Sequence, residues 1–125
     1  MTERLIVDGN NVMGSRPDGW WRDRAAATRR LVERIGERAE AGEKPVTVVF
    51  DGPRPEGLDA PTEVEVMFAE RAGRDAADDV IARLVAEDPL PERLRVVTSD
   101  ATLAARVRAQ GAEVLGARAF RDALG

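Results

Sequence analysis

RLIVDGNNVM, residues Arg4 to Met13, is the stretch around which the rest of the chain falls into place. Leu5, Ile6 and Val7 form a short apolar run, and at Asp8, Gly9, Asn10 and Asn11 strand-favouring residues give way to turn-formers. The pattern predicts a buried strand that ends in a carboxylate and runs into a turn. In an open α/β sheet, ligands bind outside the carboxyl ends of the strands, so an acid at the tip of the first strand already stands in the expected site.

The same layout returns further along. Val46 to Phe50 is continuous, apolar and β-branched, and it stops at Asp51 and Gly52, which predicts a second buried parallel strand. Between the two, Gly14 to Gly19 is polar with a turn at Pro17, Asp18 and Gly19. Trp21 to about Ala41 reads as a helix, with Ala27, Leu31, Ile35 and Ala39 on one face, Arg22, Arg29, Arg30, Glu33 and Glu37 elsewhere, and Gly42 as its cap. Prolines stiffen the loop Gly52 to Pro61. Thr62 to Phe68 then alternates Val64, Val66 and Phe68 with Glu63, Glu65 and Met67, the pattern of a strand near a sheet edge.

Gly73 to Asp75 open a helix running to about Glu87, ended by Pro89 and Pro91. Leu94 to Val97 form a strand stopping at Thr98, Ser99 and Asp100; Ala101 to Ala109 are helical up to Gly111; Glu113 to Leu115 form a last strand, and a terminal helix starts near Ala117. The order is strand, helix, strand, strand, helix, strand, helix, strand, helix. Such alternation implies a mainly parallel sheet with helices on both faces, an α/β fold. No internal repeat, low-complexity tract or linker interrupts it. At 125 residues the length suits one domain spanning residues 1–125.

Composition narrows the chemistry. Without cysteine, histidine or tyrosine, the catalytic inventory is carboxylates, hydroxyls, Lys44 and arginines. The G-x-G-x-x-G and Walker A patterns are absent, so nothing points to a dinucleotide or P-loop site. Met1 to Val7 is too short and too charged for a signal peptide, and no apolar run approaches membrane-spanning length, so a cytoplasmic protein without a membrane partner is expected. A net charge of −4 gives no global pull toward nucleic acid.

Against that background the acids stand out. Asp8 ends the first strand, Asp100 follows the fourth, and Asp75, Asp78 and Asp79 fall in the first turn of the helix after the third. Asp75 and Asp78 are three apart and share a helix face. Brought together, these carboxylates form a pocket of like charge that needs protons or cations to neutralise it. Mg²⁺ or Mn²⁺ suits such oxygen donors and leaves positions open for a phosphate and an activated water.

Each acid also has a plainer reading. Asp75, Asp78 and Asp79 suit a helix N-terminus, Asp100 and Ser99 suit a helix cap, and Asp51 suits a turn beside the site rather than a ligand. Asn11 is either a turn residue or one that orients water or phosphate. Arg71 and Arg74, flanking the acidic turn, are better candidates for phosphate contact than Arg22, Arg29, Arg30, Arg34 and Arg38, which read as a solvated helix face broken by Glu33 and Glu37. Trp20 and Trp21 read as one core and one rim residue, with base stacking as the other reading.

Four motifs taken together, Asp8-Gly-Asn-Asn11, Val-Val-Phe-Asp51-Gly, Asp75-Ala-Ala-Asp78-Asp-Val-Ile and Val-Thr-Ser-Asp100, resemble the YacP-like NYN domain of the PIN-like nuclease group, over nearly the whole chain. The resemblance implies a three-layer α/β/α sandwich with strand order 3-2-1-4-5 and a metal-dependent ribonuclease that cuts RNA internally. It implies Asp8, Asp78 and Asp100 as metal-binding catalytic acids with Asp75 as a fourth, and it matches Asn11 and Ser99 to the family's asparagine and small hydroxyl residue. Asn10 stands where relatives often carry an aromatic residue. Single-stranded RNA is the expected substrate, with a partner such as the ribosome to place it. The rival readings are a non-catalytic RNA-binding or protein-interaction module on the same fold and a phosphohydrolase of small nucleotides, the latter disfavoured by the lack of an Asp-x-Asp nucleophile motif. Exposure of the Thr62 to Phe68 strand leaves dimerisation open.

Overall fold

β1 (Arg4–Asp8) occupies the middle of the sheet, and everything else is placed by its neighbours. The computed structural model describes residues 3–40, 45–69 and 76–124. Among them, β1 pairs with β2 (Val46–Phe50) on one side and β4 (Leu94–Val97) on the other, while β3 (Val64–Phe68) and β5 (Glu113–Leu115) close the two edges. All four pairings are parallel, and the order is β3-β2-β1-β4-β5. The chain therefore steps outward from β1 to β3, then restarts on the other side of β1 with β4. That reversal opens a crevice above the carboxyl ends of β1 and β4.

Strand alternation divides the core between two faces. Val7, Val48, Phe50 and Val97 pack toward α2 (Arg24–Glu40), α5 (Ala117–Leu124) and the short α1 (Gly9–Met13). Ile6, Val49 and Val96 pack toward α3 (Ala76–Glu87) and α4 (Ala101–Ala109) through Ile81, Val85, Leu103 and Val107. The result is the three-layer sandwich. Ala27, Leu31, Ile35 and Ala39 are the buried face of α2, as their spacing predicts, and β3 lies at an edge with Glu65 exposed. Trp20 is half-buried against the core and Trp21 is 53% exposed. No helix among the described residues is long and apolar enough to cross a membrane.

Two local expectations change. Gly9–Met13 is a short α-helix, not a turn, because the side chains that would compete for its backbone are engaged elsewhere: Asn10 and Asn11 reach across to the ends of β2 and β4. The first long helix begins at Arg24 rather than Trp21, since Trp20–Arg22 form a 3-10 turn and the Asp23 carboxylate accepts from the Ala26 N–H at 3.0 Å, setting the start. Gly42, Lys44, Arg71, Arg74 and Asp75 lie outside the described residues.

Candidate functional site

Asp8 is the last residue of the central strand, and alternation sends its side chain to the same face as Ile6, toward α3 and α4. It is 4% exposed. A neutral side chain holds it: the Thr98 hydroxyl donates to Asp8 Oδ2 at 2.9 Å and accepts from the Asp100 N–H at 3.1 Å. Thr98, itself 1% exposed, thus links the tip of β1 to the start of α4. Burial pushes the Asp8 carboxyl up from 3.8 to about 6; the Thr98 hydrogen bond and the Asn11 backbone oppose this, and the charges of Asp78 and Asp51 add to it.

Asp78 sits half-buried in the first turn of α3, one residue past the buried Ala77 that faces the sheet. Asp51 follows β2, and its Oδ1 accepts from the Ala77 N–H at 2.8 Å, so an acid from one strand end ties down the amino end of α3. Asp79 is turned outward and pairs with Arg106 of α4 at 3.0 Å. Asp100 occupies the N-cap of α4, its Oδ1 accepting from the Leu103 N–H at 2.9 Å. Capping is therefore one thing this carboxylate does, and its backbone reaches Asp8 through Thr98.

The two consecutive asparagines act as a brace. Asn10 Oδ1 accepts from the Asp51 N–H at 2.7 Å and Asn11 Oδ1 from the Ser99 N–H at 2.7 Å. One turn of helix thereby spans from the end of β2 to the end of β4. Ser99 passes the restraint on, its hydroxyl accepting from the Ala117 N–H at 2.9 Å at the start of α5. Side chain to backbone bonds thus tie α1, the ends of β2 and β4 and the starts of α3, α4 and α5 to one another around the crevice.

This geometry agrees with a match found independently in the sequence: a model of the YacP-like NYN domain fits residues 5–125. The chain belongs to that family. Its fold is the nuclease-like α/β fold of the family. The crystal structure of Rae1 (YacP) from Bacillus subtilis superposes with a TM-score of 0.79 at 27% identity, covering 98% of this chain and 74% of that one. A point mutant of the same protein gives 0.76 at 27% identity, with 97% and 73% covered. A comparison with curated proteins finds no match.

The family implies a divalent cation, and the donor set suits one. Among the described residues the side chains named at this corner offer oxygen donors, and its buried carboxylate, Asp8, is pressed by two further acids. Among the described residues no three acidic side chains stand close enough to hold an ion together, and Asp75 lies outside them. Sequence reasoning singled out the charged residues and passed over Thr98 and the side chain of Asn10. Their signal is positional: Val7 pairs with Val97, so the next residues along each strand, Asp8 and Thr98, emerge side by side.

Proposed function

We propose that the chain is a metal-dependent endoribonuclease that hydrolyses RNA phosphodiester bonds at the Asp8 corner, as a single NYN domain acting in the cytoplasm. The observation that carries this reading is the state of Asp8: a carboxylate at the end of the central strand, nearly without access to water, with Asp78 and Asp51 raising its proton affinity further. A buried site with that much like charge is stable in the ionised form only when a positive charge joins it. Asp8, Asp78 and Asp100, helped by Asp75, are the acids assigned to hold Mg²⁺ or Mn²⁺. When bound, such a cation offsets the charge that builds on the phosphoryl oxygens and lowers the pKa of water.

The remaining roles fall to this chain's own groups. Thr98 fixes the orientation of Asp8 by donating to Oδ2. Asn11 and Ser99 keep β4's end at a set distance from α1, and Arg71 and Arg74 are assigned to the phosphates of single-stranded RNA. A partner such as the ribosome places the substrate. The non-catalytic RNA-binding reading draws on Asp100, whose carboxylate is occupied in capping α4.

Labelled single-stranded RNA incubated with Mn²⁺, Mg²⁺ or chelator, beside the Asp8→Asn variant, separates the two. Internal cuts that need the metal and vanish in the variant are the expected result. Tight binding that persists in chelator, with no cleavage under either metal, would replace the nuclease with a binding module.

A further inference from the structure

A cleft of about 320 Å³ adjoins the acid corner on its β2 side, and no role assigned above uses it. Asn10, Asp51, Arg24, Arg54, Pro53 and Phe68 are among its lining residues, so it opens directly onto the residues that brace the site. Its size lies at the low end of the range of about 300–1,000 Å³ for small-ligand pockets, room for one nucleotide and too little for a duplex.

The walls are built before anything binds. Phe68, at the end of the edge strand, stacks on the buried Phe50 with ring centres 5.2 Å apart and planes 18° from parallel. The Arg54 guanidinium lies over the Phe68 ring, 5.8 Å from its centre, and its Nη2 donates to the Leu58 carbonyl at 3.1 Å. Leu58 is buried in the core, and Arg29 of α2 donates to the Glu56 carbonyl, so the proline-bearing loop between β2 and β3 is pinned at several points. Arg24, exposed at the first turn of α2, faces the cleft from the other side.

These are the components of single-strand recognition: a guanidinium backed by an aromatic ring, on which any base can stack, and a second arginine for phosphate. In a chain with a net charge of −4, two exposed arginines against the single carboxylate of Asp51 leave the lining of this cleft net positive beside an acidic corner, a local reversal of charge. A strand of RNA crossing the acids needs such a reversal on its path, since the acids themselves repel phosphate. We propose that this cleft seats the nucleotide next to the scissile phosphodiester, its base on the Arg54 guanidinium that Phe68 backs and its phosphate met by Arg24. The proposal rests on the nuclease reading for the word scissile; the binding site itself does not.

The test uses two readouts. In the first, a fluorescent single-stranded RNA is titrated into the Asp8→Asn chain, with Mg²⁺ present, and into the same chain carrying Arg54→Ala, Arg24→Ala or Phe68→Leu. Each cleft substitution is expected to weaken binding 5- to 20-fold. Arg93→Ala, at the opposite end of the sheet where Arg93 pairs with Glu3, is expected to change it less than twofold. In the second, one abasic nucleotide beside the cut slows the parent about 10-fold and slows the Phe68→Leu chain no further.

Arg54 and Arg24 are exposed, so their variants keep the fold even if Phe68→Leu does not. Binding unchanged by Arg54→Ala and Arg24→Ala overturns the cleft while leaving cleavage by the parent intact. A parent that never cleaves, yet loses RNA affinity with those two arginines, keeps the cleft and overturns the nuclease reading. An Asp8→Asn chain that binds no RNA overturns the cleft.

Discussion

Val7-Asp8-Gly9 and Phe50-Asp51-Gly52 have the same layout, an apolar strand ending in Asp-Gly, and the molecule puts them to different uses. Asp8 closes the central strand, is nearly inaccessible, and receives a hydroxyl from Thr98. Asp51 closes the next strand out, is half-buried, and caps another element by accepting from the Ala77 N–H. Gly9 begins a helix at negative φ, whereas Gly52 turns the chain at φ 84°. The tripeptide determines only that a carboxylate sits at a strand end. Position in the sheet decides whether water reaches it.

The sharpest way to break the comparison is to neutralise each acid in turn. Asp8→Asn is expected to abolish RNA cleavage. Asp51→Asn removes a charge near the site and weakens the tie to α3, so a ~10- to 100-fold loss is expected, the size seen when an orienting partner of a site residue is changed. Thr98→Val, which leaves Asp8 without its hydroxyl donor, belongs with Asp51 in that range. Equal losses at Asp8 and Asp51 in a cleavage time course would make the two strand ends equivalent, and the division of roles would fall.

Stability against pH separates the pair in a second way. The Asp8 carboxyl is raised from 3.8 to about 6, so with cations chelated the folded chain binds more protons than the unfolded chain between those values. Stability therefore falls as pH rises from about 4 to about 6 and stays reduced above. A shift of this size corresponds to roughly 3 kcal/mol. Asp8→Asn removes that burden. In chelator the variant is expected to melt above the parent at pH 7.5, the gap closing as pH drops below 4, and added Mg²⁺ or Mn²⁺ is expected to raise the parent alone. A gap that is constant from pH 4 to pH 8 would show that Asp8 is not the group responsible.

Much of this was legible beforehand, and the reasons differ by element. The five strands, their parallel arrangement and the buried face of α2 follow from apolar runs and helical spacing, which register burial directly. The strand order came from the family resemblance, since alternation alone does not order a sheet. α1 was hidden because Gly9-Asn10-Asn11 reads as turn chemistry until the asparagine side chains are seen bonded to Asp51 and Ser99, distant in sequence. Thr98 was hidden because a threonine after two valines reads as the end of a strand; only the pairing of Val7 with Val97 sets it beside Asp8. The cleft was invisible for the same reason. Arg24, Arg54 and Phe68 come from three segments, and no local pattern joins them.

The two glycines give the smallest and most local contrast. A Cβ on Gly9 would stand 2.5 Å from Cε1 of Phe50, whose ring is buried and stacked on Phe68 and has little room to withdraw. Gly9→Ala is expected to cost about 1–3 kcal/mol by overpacking, somewhat relieved by alanine's preference for helix. A Cβ on Gly52 meets nothing within 4 Å, so space is no obstacle there. Its cost is conformational: at φ 84° an L-residue is strained by about 1–2 kcal/mol. Denaturant titration of Gly52→Asn tells the two causes apart, because asparagine tolerates a left-handed backbone and is expected to recover part of the loss seen with Gly52→Ala. At Gly9 no such recovery is expected, since any side chain carries the Cβ that meets Phe50. If Gly9→Ala were as stable as the parent, the Phe50 ring would have to yield, and with it the stack that holds Phe68 at the mouth of the cleft.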